Sequence, residues 1–236
     1  MNRIELIRQE EKRYHDDCYE RYSLFEPGSW LHKPVKTVLE QLEHFTDYAY
    51  LNVLDLGSGI GRNSIPLAQS LRGRSGRVVC VDLLQSAIDK LQEYSRQYEV
   101  QSLIDSRLSD IEHFVIKPDM YDFIVAVSTL EHLRSEQVLG SKIQEMVTGT
   151  KSSGVNCIII GSNIREVTVE TNVELDPMFE INLPTDRMLQ LLDTQYAGWD
   201  IQKRLVNPLT YEINRDGADV RLTTECITYV AKKPAN

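Results

Sequence analysis

The sequence predicts an α/β fold: a doubly wound, mostly parallel sheet covered by helices on both faces, with a helical addition at its N-terminus. Three observations predict it. Short apolar runs alternate with amphipathic segments from residue 50 onward. Those runs lack the alternation of a half-exposed strand, as expected of strands buried on both faces. A turn rich in glycine (Gly57, Gly59, Gly61) joins the first run to the segment after it.

The first 48 residues read as helical. Ile4, Ile7, Tyr14, Cys18 and Tyr22 fall near one face at helical spacing, Pro27 and Gly28 mark a break, and Val35, Val38, Leu39, Leu42 and Phe45 mark a second amphipathic helix. YLNVLDL (50–56) is a buried strand, and GRNSIPLAQSL (61–71) is a helix that tolerates Pro66 near its first turn. RVVCVD (77–82) is a second strand, and LQSAIDKLQEYSRQY (84–98) an amphipathic helix. SLIDSRLSD (102–110) reads as a third strand ending in an aspartate; YDFIVAVST (121–129) and VNCIIIGS (155–162) follow, separated by a helix over about 135–148. A further helix after residue 184 precedes WDIQKRLV (199–206) and VRLTTECITYVAKK (220–233), an expected antiparallel hairpin with Asp216 and Gly217 in its turn. Residues 1–48 are thus expected to form a helical cap packed on a core of residues 49–236, the two making one structural unit.

A length of 236 residues suits one large domain, and 42% hydrophobic with 26% charged residues is an ordinary globular balance. The formal charge of −9 repels phosphate backbones and argues against nucleic acid as a partner. The longest apolar run, about Val155 to Gly161, is far short of a membrane span, and the charged N-terminus has no apolar signal core. A cytoplasmic protein without membrane contact is expected. Cys18, Cys80, Cys157 and Cys226 make no CxxC pair and the five histidines are scattered, so no metal site is expected.

The loop in VLDLGSGIGRNSIPLA (53–68) carries the functional signal. Ligands of open α/β sheets bind beyond the carboxyl ends of the strands, where glycine lets backbone approach them. A Walker loop would end in Gly-Lys-Ser/Thr, but this one ends Gly61-Arg62-Asn63-Ser64. A G-x-G-x-x-G dinucleotide fingerprint would place its third glycine where Arg62 stands. Asp55 would also set a carboxylate near a pyrophosphate. The same carboxylate suits S-adenosylmethionine, which carries an ammonium and a sulfonium and no phosphate; the alternative is that Asp55 only caps the loop's own N–H groups. Asp82, which ends the second strand, is placed to accept from ribose hydroxyls. Asp110 is placed to accept from an adenine amine with Ile111 beside the ring, or to cap the next helix. The expected cofactor contacts are Asp55, Gly57, Ser58, Gly59, Gly61, Arg62, Asn63, Asp82, Leu83, Asp110, Ile111 and Ser128.

DLGSGIGRN, the acid in VCVD and the run YDFIVAVSTLEHL together resemble the class I S-adenosylmethionine-dependent methyltransferases over residues 50–162. The resemblance implies a Rossmann-like sheet of seven strands, mostly parallel, whose last strand inserts antiparallel, with S-adenosylhomocysteine as product. GRNSIPLA, FEINLPTDRMLQLLDTQYAGW and the hairpin up to YVAKK are similar, more narrowly, to the tellurite-resistance type methyltransferases, which act on chalcogen oxyanions or related small acceptors. That family places a histidine and arginines on the turn side of its last hairpin, where this chain has Tyr211 and Glu212. The fold and cofactor carry over, and the substrate does not.

Methyl transfer from a sulfonium needs positioning first, and a general base only where the acceptor must lose a proton. His132, just past the fourth strand, is the candidate base; its alternative role is to bond the loop. Ser128 and Thr129 are expected to touch the cofactor through backbone. Tyr14, Tyr19, Tyr22 and Trp30 form a lid over the pocket or pack a helix onto the sheet, with Tyr22 and Trp30 the candidate acceptor contacts. The 162–180 segment holds Glu166, Glu170, Glu174, Asp176 and Glu180 against Arg165. It is a solvated face, or it favours a neutral or cationic acceptor. The expected activity is methylation of a small molecule. Its rivals are a non-catalytic binding module that keeps the pocket and, further off, a nicotinamide-dependent oxidoreductase.

Overall fold

The computed structural model describes residues 2–215 and 217–235. Its sheet runs β3-β2-β1-β4-β5-β8-β7, with a two-residue β6 paired to β5 off that path. The strands are β1 (Tyr50–Leu56), β2 (Ser75–Asp82), β3 (Ile104–Leu108), β4 (Tyr121–Val127), β5 (Thr150–Thr168), β6 (Glu174–Leu175), β7 (Asp200–Arg215) and β8 (Ala218–Lys232). β1 to β5 pair in parallel, and β8 inserts antiparallel between β5 and β7. The expected doubly wound sheet is therefore present, with β6 as an addition.

The helices are α1 (Arg3–Arg21), α2 (Lys36–Glu40), α3 (Ser64–Ser70), α4 (Gln85–Gln97), α5 (Glu136–Gly149) and α6 (Thr185–Gln195). Asn2 and Glu5 form a reciprocal capping box at the start of α1, and the Ser135 side chain accepts the Val138 N–H at the start of α5. In α4, Ala87, Ile88, Leu91, Tyr94 and Ser95 make one buried stripe. Two apolar layers sandwich the sheet. One holds Tyr19, Leu24, Phe45, Ile65 and Leu91 against Val53, Phe123 and Val230. The other holds Ile143, Met146, Met188 and Leu192 against Leu54, Ile124 and Ile227.

Several boundaries differ from expectation. The third strand stops at Leu108, so Asp110 lies in the turn beyond it. The helix after the glycine loop starts at Ser64 because the loop's own turn extends through Asn63. The second N-terminal helix is one α-turn followed by a 3₁₀ turn, Gln41–Phe45. Tyr14 is 46% exposed rather than on the buried face of α1, which Ile7, Cys18 and Tyr19 form. The last three strands are longer than their apolar cores. β5 runs on from Ile159, its last partner on β4, to Thr168, and β7 and β8 pair out to Arg215 and Ala218. Half of the acidic 162–180 segment is thereby strand, in an arm that projects past the carboxyl end of β4. Gly217 lies in the expected turn, while Asp216 lies outside the described residues.

Among the described residues no helix is long and apolar enough to cross a membrane, and no cluster of three His, Cys, Asp or Glu residues could hold a metal ion.

Candidate functional site

Strand order reverses between β1 and β4, which makes their carboxyl ends the crevice of this sheet. The glycine loop starts there. Gly57 and Ser58 donate their N–H groups to Val81 O at 2.8 and 3.0 Å, which ties the loop to the end of β2. Asp82 completes the tie: its Oδ2 accepts from Gly59 N at 2.8 Å and its Oδ1 from Leu84 N at 2.9 Å. Burial pushes the Asp82 carboxyl up, while these backbone donors pull it down. Leu83, next along, is 46% exposed at the crevice edge.

Gly57 is required by space as well as by angle. Its φ is +71°, and a Cβ there would lie 2.2 Å from Thr129 Oγ1 on the loop after β4. Ser128 beside it is a non-glycine residue in the left-handed region, at φ +49°, and its N–H donates to Ile159 O at 2.8 Å. Gly57→Ala is expected to cost about 2–4 kcal/mol, an overpacking clash plus a strained φ. Gly73→Ala is the control, because Gly73 has φ +82° but nothing within 4 Å of its Cβ position, and it should cost about 1 kcal/mol. Urea denaturation of both variants measures the difference; equal costs would mean that the Thr129 contact imposes nothing.

Asp55 lies beneath the loop, 1% exposed, rather than open at its rim. Ser64 Oγ donates to its Oδ2 at 2.5 Å. Burial, opposed by that bond, holds the carboxyl up at about 7. Asn63 turns to the N-terminal segment, accepting Val35 N at 2.9 Å. Arg62 also turns there: Nη1 donates to Trp30 O at 2.9 Å, and the guanidinium carbon sits 5.1 Å from the centre of the Trp30 ring.

α1 crosses this crevice. A Cβ at Gly59 would lie 3.2 Å from the Tyr19 hydroxyl, and Tyr19, His15 and Trp30 make edge and tilted ring contacts over the loop. Arg8 reaches Asp110 Oδ2 at 2.9 Å and lies 3.6 Å from Glu180 Oε1. Asp110 also accepts Glu112 N at 2.9 Å, so its turn-capping role is present, and Ile111 beside it is buried. Tyr22 does not join the rings over the loop; it packs against Gly28 and the apolar layer below.

His132 is held from two sides. Its Nδ1 is 2.9 Å from Glu180 Oε2, its Nε2 is 3.8 Å from Glu11 Oε1, and its ring stacks on Phe179 with centroids 5.4 Å apart. Burial alone would depress its pKa, but the carboxylates of Glu11, Glu180 and Glu131 raise it to about 9. Glu11 is held down at about 2, with burial opposing and His132 and His15 favouring its charged form. At neutral pH His132 is an imidazolium that donates to carboxylates and has no free lone pair to act as base. This geometry suits the alternative role, in which His132 bonds the surrounding loops.

The same pair predicts how α1 docking responds to pH. His132 rises from 6.5 to about 9, so its contribution is complete below pH 6.5 and is lost as pH rises through 9. Glu11 falls from 4.5 to about 2, so its contribution is complete above pH 4.5 and is lost as pH falls through 2. Protection factors of α1 amides, measured by hydrogen exchange, are expected to drop about tenfold or more between pH 6.5 and 9.5. They should not drop in His132→Gln.

Sequence reasoning did not find Arg8, Glu11 or Glu131. Arg8 and Glu11 sit in a helix rich in charges and carry no local signal. Glu131 had one: it is a carboxylate between Leu130 and His132 directly after a buried strand, and it is 4% exposed. Its Oε1 accepts Gly161 N at 3.2 Å. Three buried polar atoms that lack a partner lie where α1 meets the crevice, Ser58 Oγ, His15 Nδ1 and Glu131 Oε2; Arg8 Nε and Glu180 Oε1, also without a hydrogen bond, face each other as an ion pair at 3.6 Å.

Residues 53–154 match the family model described as a methyltransferase domain. The chain is 23% identical over 129 residues to a ubiquinone biosynthesis O-methyltransferase of Rickettsia typhi, covering 54% of this chain and 48% of that protein. It is 25% identical over 123 residues to the protein of that name from Rickettsia canadensis, covering 51% and 48%. The chain thus spans about half the length of these relatives. Among solved structures it is similar to TehB from Haemophilus influenzae, with 21% identity and a TM-score of 0.63 over 94% of this chain and 66% of that one. It is also similar to a SAM-dependent methyltransferase from Methanosarcina mazei, with 15% identity and a TM-score of 0.59 over 86% and 100%. Residues 53–154 are thus similar to a methyltransferase domain, and the chain shares the fold of solved S-adenosylmethionine-dependent methyltransferases, with a resemblance to TehB.

Proposed function

We propose that the protein methylates a small-molecule acceptor using S-adenosylmethionine. The observation that carries this reading is the charge around the glycine loop. A carboxylate, Asp82, grips the loop at Gly59, and the loop's one guanidinium, Arg62, is turned away onto Trp30. A pyrophosphate would meet carboxylate where it needs cation; an ammonium and a ribose meet acceptors. The partnerless polar atoms at the mouth are further donors and acceptors for a polar ligand.

When bound, the cofactor supplies an electrophilic methyl on a sulfonium. The chain's residues then do the following work. Asp82 accepts from the ribose hydroxyls. Asp110 and Ile111 receive the adenine. Asp55, one layer below, stabilises the ammonium through the loop. The backbone of Gly57, Gly59 and Ser128 shapes the space, and α1 with Tyr19 closes it against water, leaving the acceptor to approach in line. Residues 1–48 serve as cap, and the acidic surface favours a small acceptor over nucleic acid.

Thermal shift and calorimetry with S-adenosylhomocysteine test the cofactor, with NADH as control. A ligand at 100 times its Kd adds about 2.7 kcal/mol, or about 5–10 °C in midpoint for a chain of this size. That shift is expected with S-adenosylhomocysteine alone. A shift with NADH only, or with neither, would overturn the reading of the loop.

A further inference from the structure

We infer that Glu131 is a catalytic residue that binds the methyl acceptor through Oε2 and takes its proton, so that the acceptor is a protic hydroxyl or amine and not an oxyanion. The inference rests on the methyltransferase reading and names the substrate class of the same site.

The geometry is specific. Glu131 follows β4 at its carboxyl end, and one of its oxygens is fixed by Gly161 N on β5. The other oxygen is buried without a partner, in a side chain that is 4% exposed. Such an atom forfeits the free energy of hydration unless a ligand supplies a donor. Gly161 packs closely here: a Cβ there would lie 3.3 Å from Ile164 Cδ1 and Thr224 Oγ1 and 3.5 Å from Glu131 Oε1, so a side chain at this position would crowd the oxygen that its N–H holds. Thr224 and Cys226 face this point from β8, and Cys226 lies near enough for the Glu131 charge to push its thiol up, after burial, to about 11. A neutral thiol and a hydroxyl neither replace nor repel the missing donor.

The charge around the point excludes an anion as the preferred ligand. Glu11 and Glu180 stand with Glu131, and their cationic partners are already engaged: His132 bridges Glu11 and Glu180, and Arg8 is held by Asp110. An oxyanion would add charge to a buried carboxylate that lacks even a hydrogen bond on one side. A hydroxyl or an amine instead satisfies Oε2 directly. In the transfer the O–H proton of a hydroxyl acceptor, or an N–H proton of an amine bound as its ammonium, moves to Oε2. The pair left on that oxygen or nitrogen forms the bond to the methyl carbon. The pair of the broken carbon–sulfur bond stays on sulfur as a neutral thioether.

Calorimetry on protein saturated with S-adenosylhomocysteine tests this, using phenol, benzylamine and selenite as probes against wild type and Glu131→Gln. Wild type is expected to bind phenol or benzylamine, and whichever binds identifies the O- or N-acceptor. Glu131→Gln, which keeps an oxygen for Gly161 N, should lose at least tenfold in that affinity while its S-adenosylhomocysteine affinity stays within twofold. A second readout needs no variant: the bound probe should slow alkylation of Cys226 by iodoacetamide. Binding of selenite alone, binding of no probe, or undiminished binding in Glu131→Gln would overturn the inference. Failure of wild type to bind S-adenosylhomocysteine would instead strike the methyltransferase reading.

Discussion

Asp82→Ala is expected to weaken S-adenosylhomocysteine binding by about 100-fold, or about 2.8 kcal/mol. Two losses combine. The variant removes the acceptor for ribose hydroxyls, and it releases Gly59 N and Leu84 N, whose bonds at 2.8 and 2.9 Å set the loop's shape. Hydrogen bonds to a charged group are worth about 1.5–3 kcal/mol each, so either loss alone is sizeable. Asp82→Asn separates them. It keeps an oxygen for one backbone donor and loses the charge, so its affinity should fall between wild type and alanine. Calorimetry of the three proteins at pH 7.5 measures the series. Unchanged affinity in both variants would mean that neither a ribose contact nor the brace on the loop bears on binding, and would remove Asp82 from the cofactor site.

The parts of this fold that were legible in the sequence are those whose burial is uniform. YLNVLDL and YDFIVAV are mostly apolar, without strand alternation, because helices cover both faces, and their limits are legible to within two residues. Legibility failed where strands leave that cover. The arm of β5, β7 and β8 runs through residues such as Arg165, Glu166, Thr210 and Glu212, which carry no apolar run because most of β7 faces water. Pairing in register, not composition, extends these strands.

The candidate site divides the same way. Gly57, Gly59, Asp55 and Asp82 were readable because a tight loop at the end of a strand leaves a local mark. The Gly57–Thr129 contact and the Asp82–Gly59 bond join positions far apart in the chain, so only topology could bring them together. Arg8 and Glu11 act across the crevice from α1 with nothing in their neighbours to mark them, while Glu180 is marked only as one acid of the 162–180 segment. Asp55 was legible as a carboxylate of the loop, but its depth was not. Its partner Ser64 lies one helical turn after the last glycine, and that bond draws the side chain under the loop.

That depth makes Asp55→Asn the most informative substitution. The folded carboxyl titrates at about 7 against 3.8 in the ordinary state. A group raised in this way favours the folded chain fully only below pH 3.8. The cost of burying its charge accumulates as pH rises and levels off above pH 7. A shift of this size corresponds to about 4 kcal/mol at pH 8. Asparagine keeps an oxygen for the Ser64 hydroxyl and never ionises, so the variant should melt about 8–16 °C higher than wild type at pH 8. The gap should close toward pH 4. Cofactor affinity should move the other way. The ligand's ammonium favours the ionised carboxylate, so binding of S-adenosylhomocysteine by wild type should strengthen as pH rises through 7, and binding by Asp55→Asn should be weaker and flat. A residue that destabilises the empty protein while strengthening its complex is held in place by function rather than by packing. If Asp55→Asn instead melts lower at pH 8 and binds as wild type does, Asp55 is a brace for Ser64 and the loop, and the ammonium is held elsewhere.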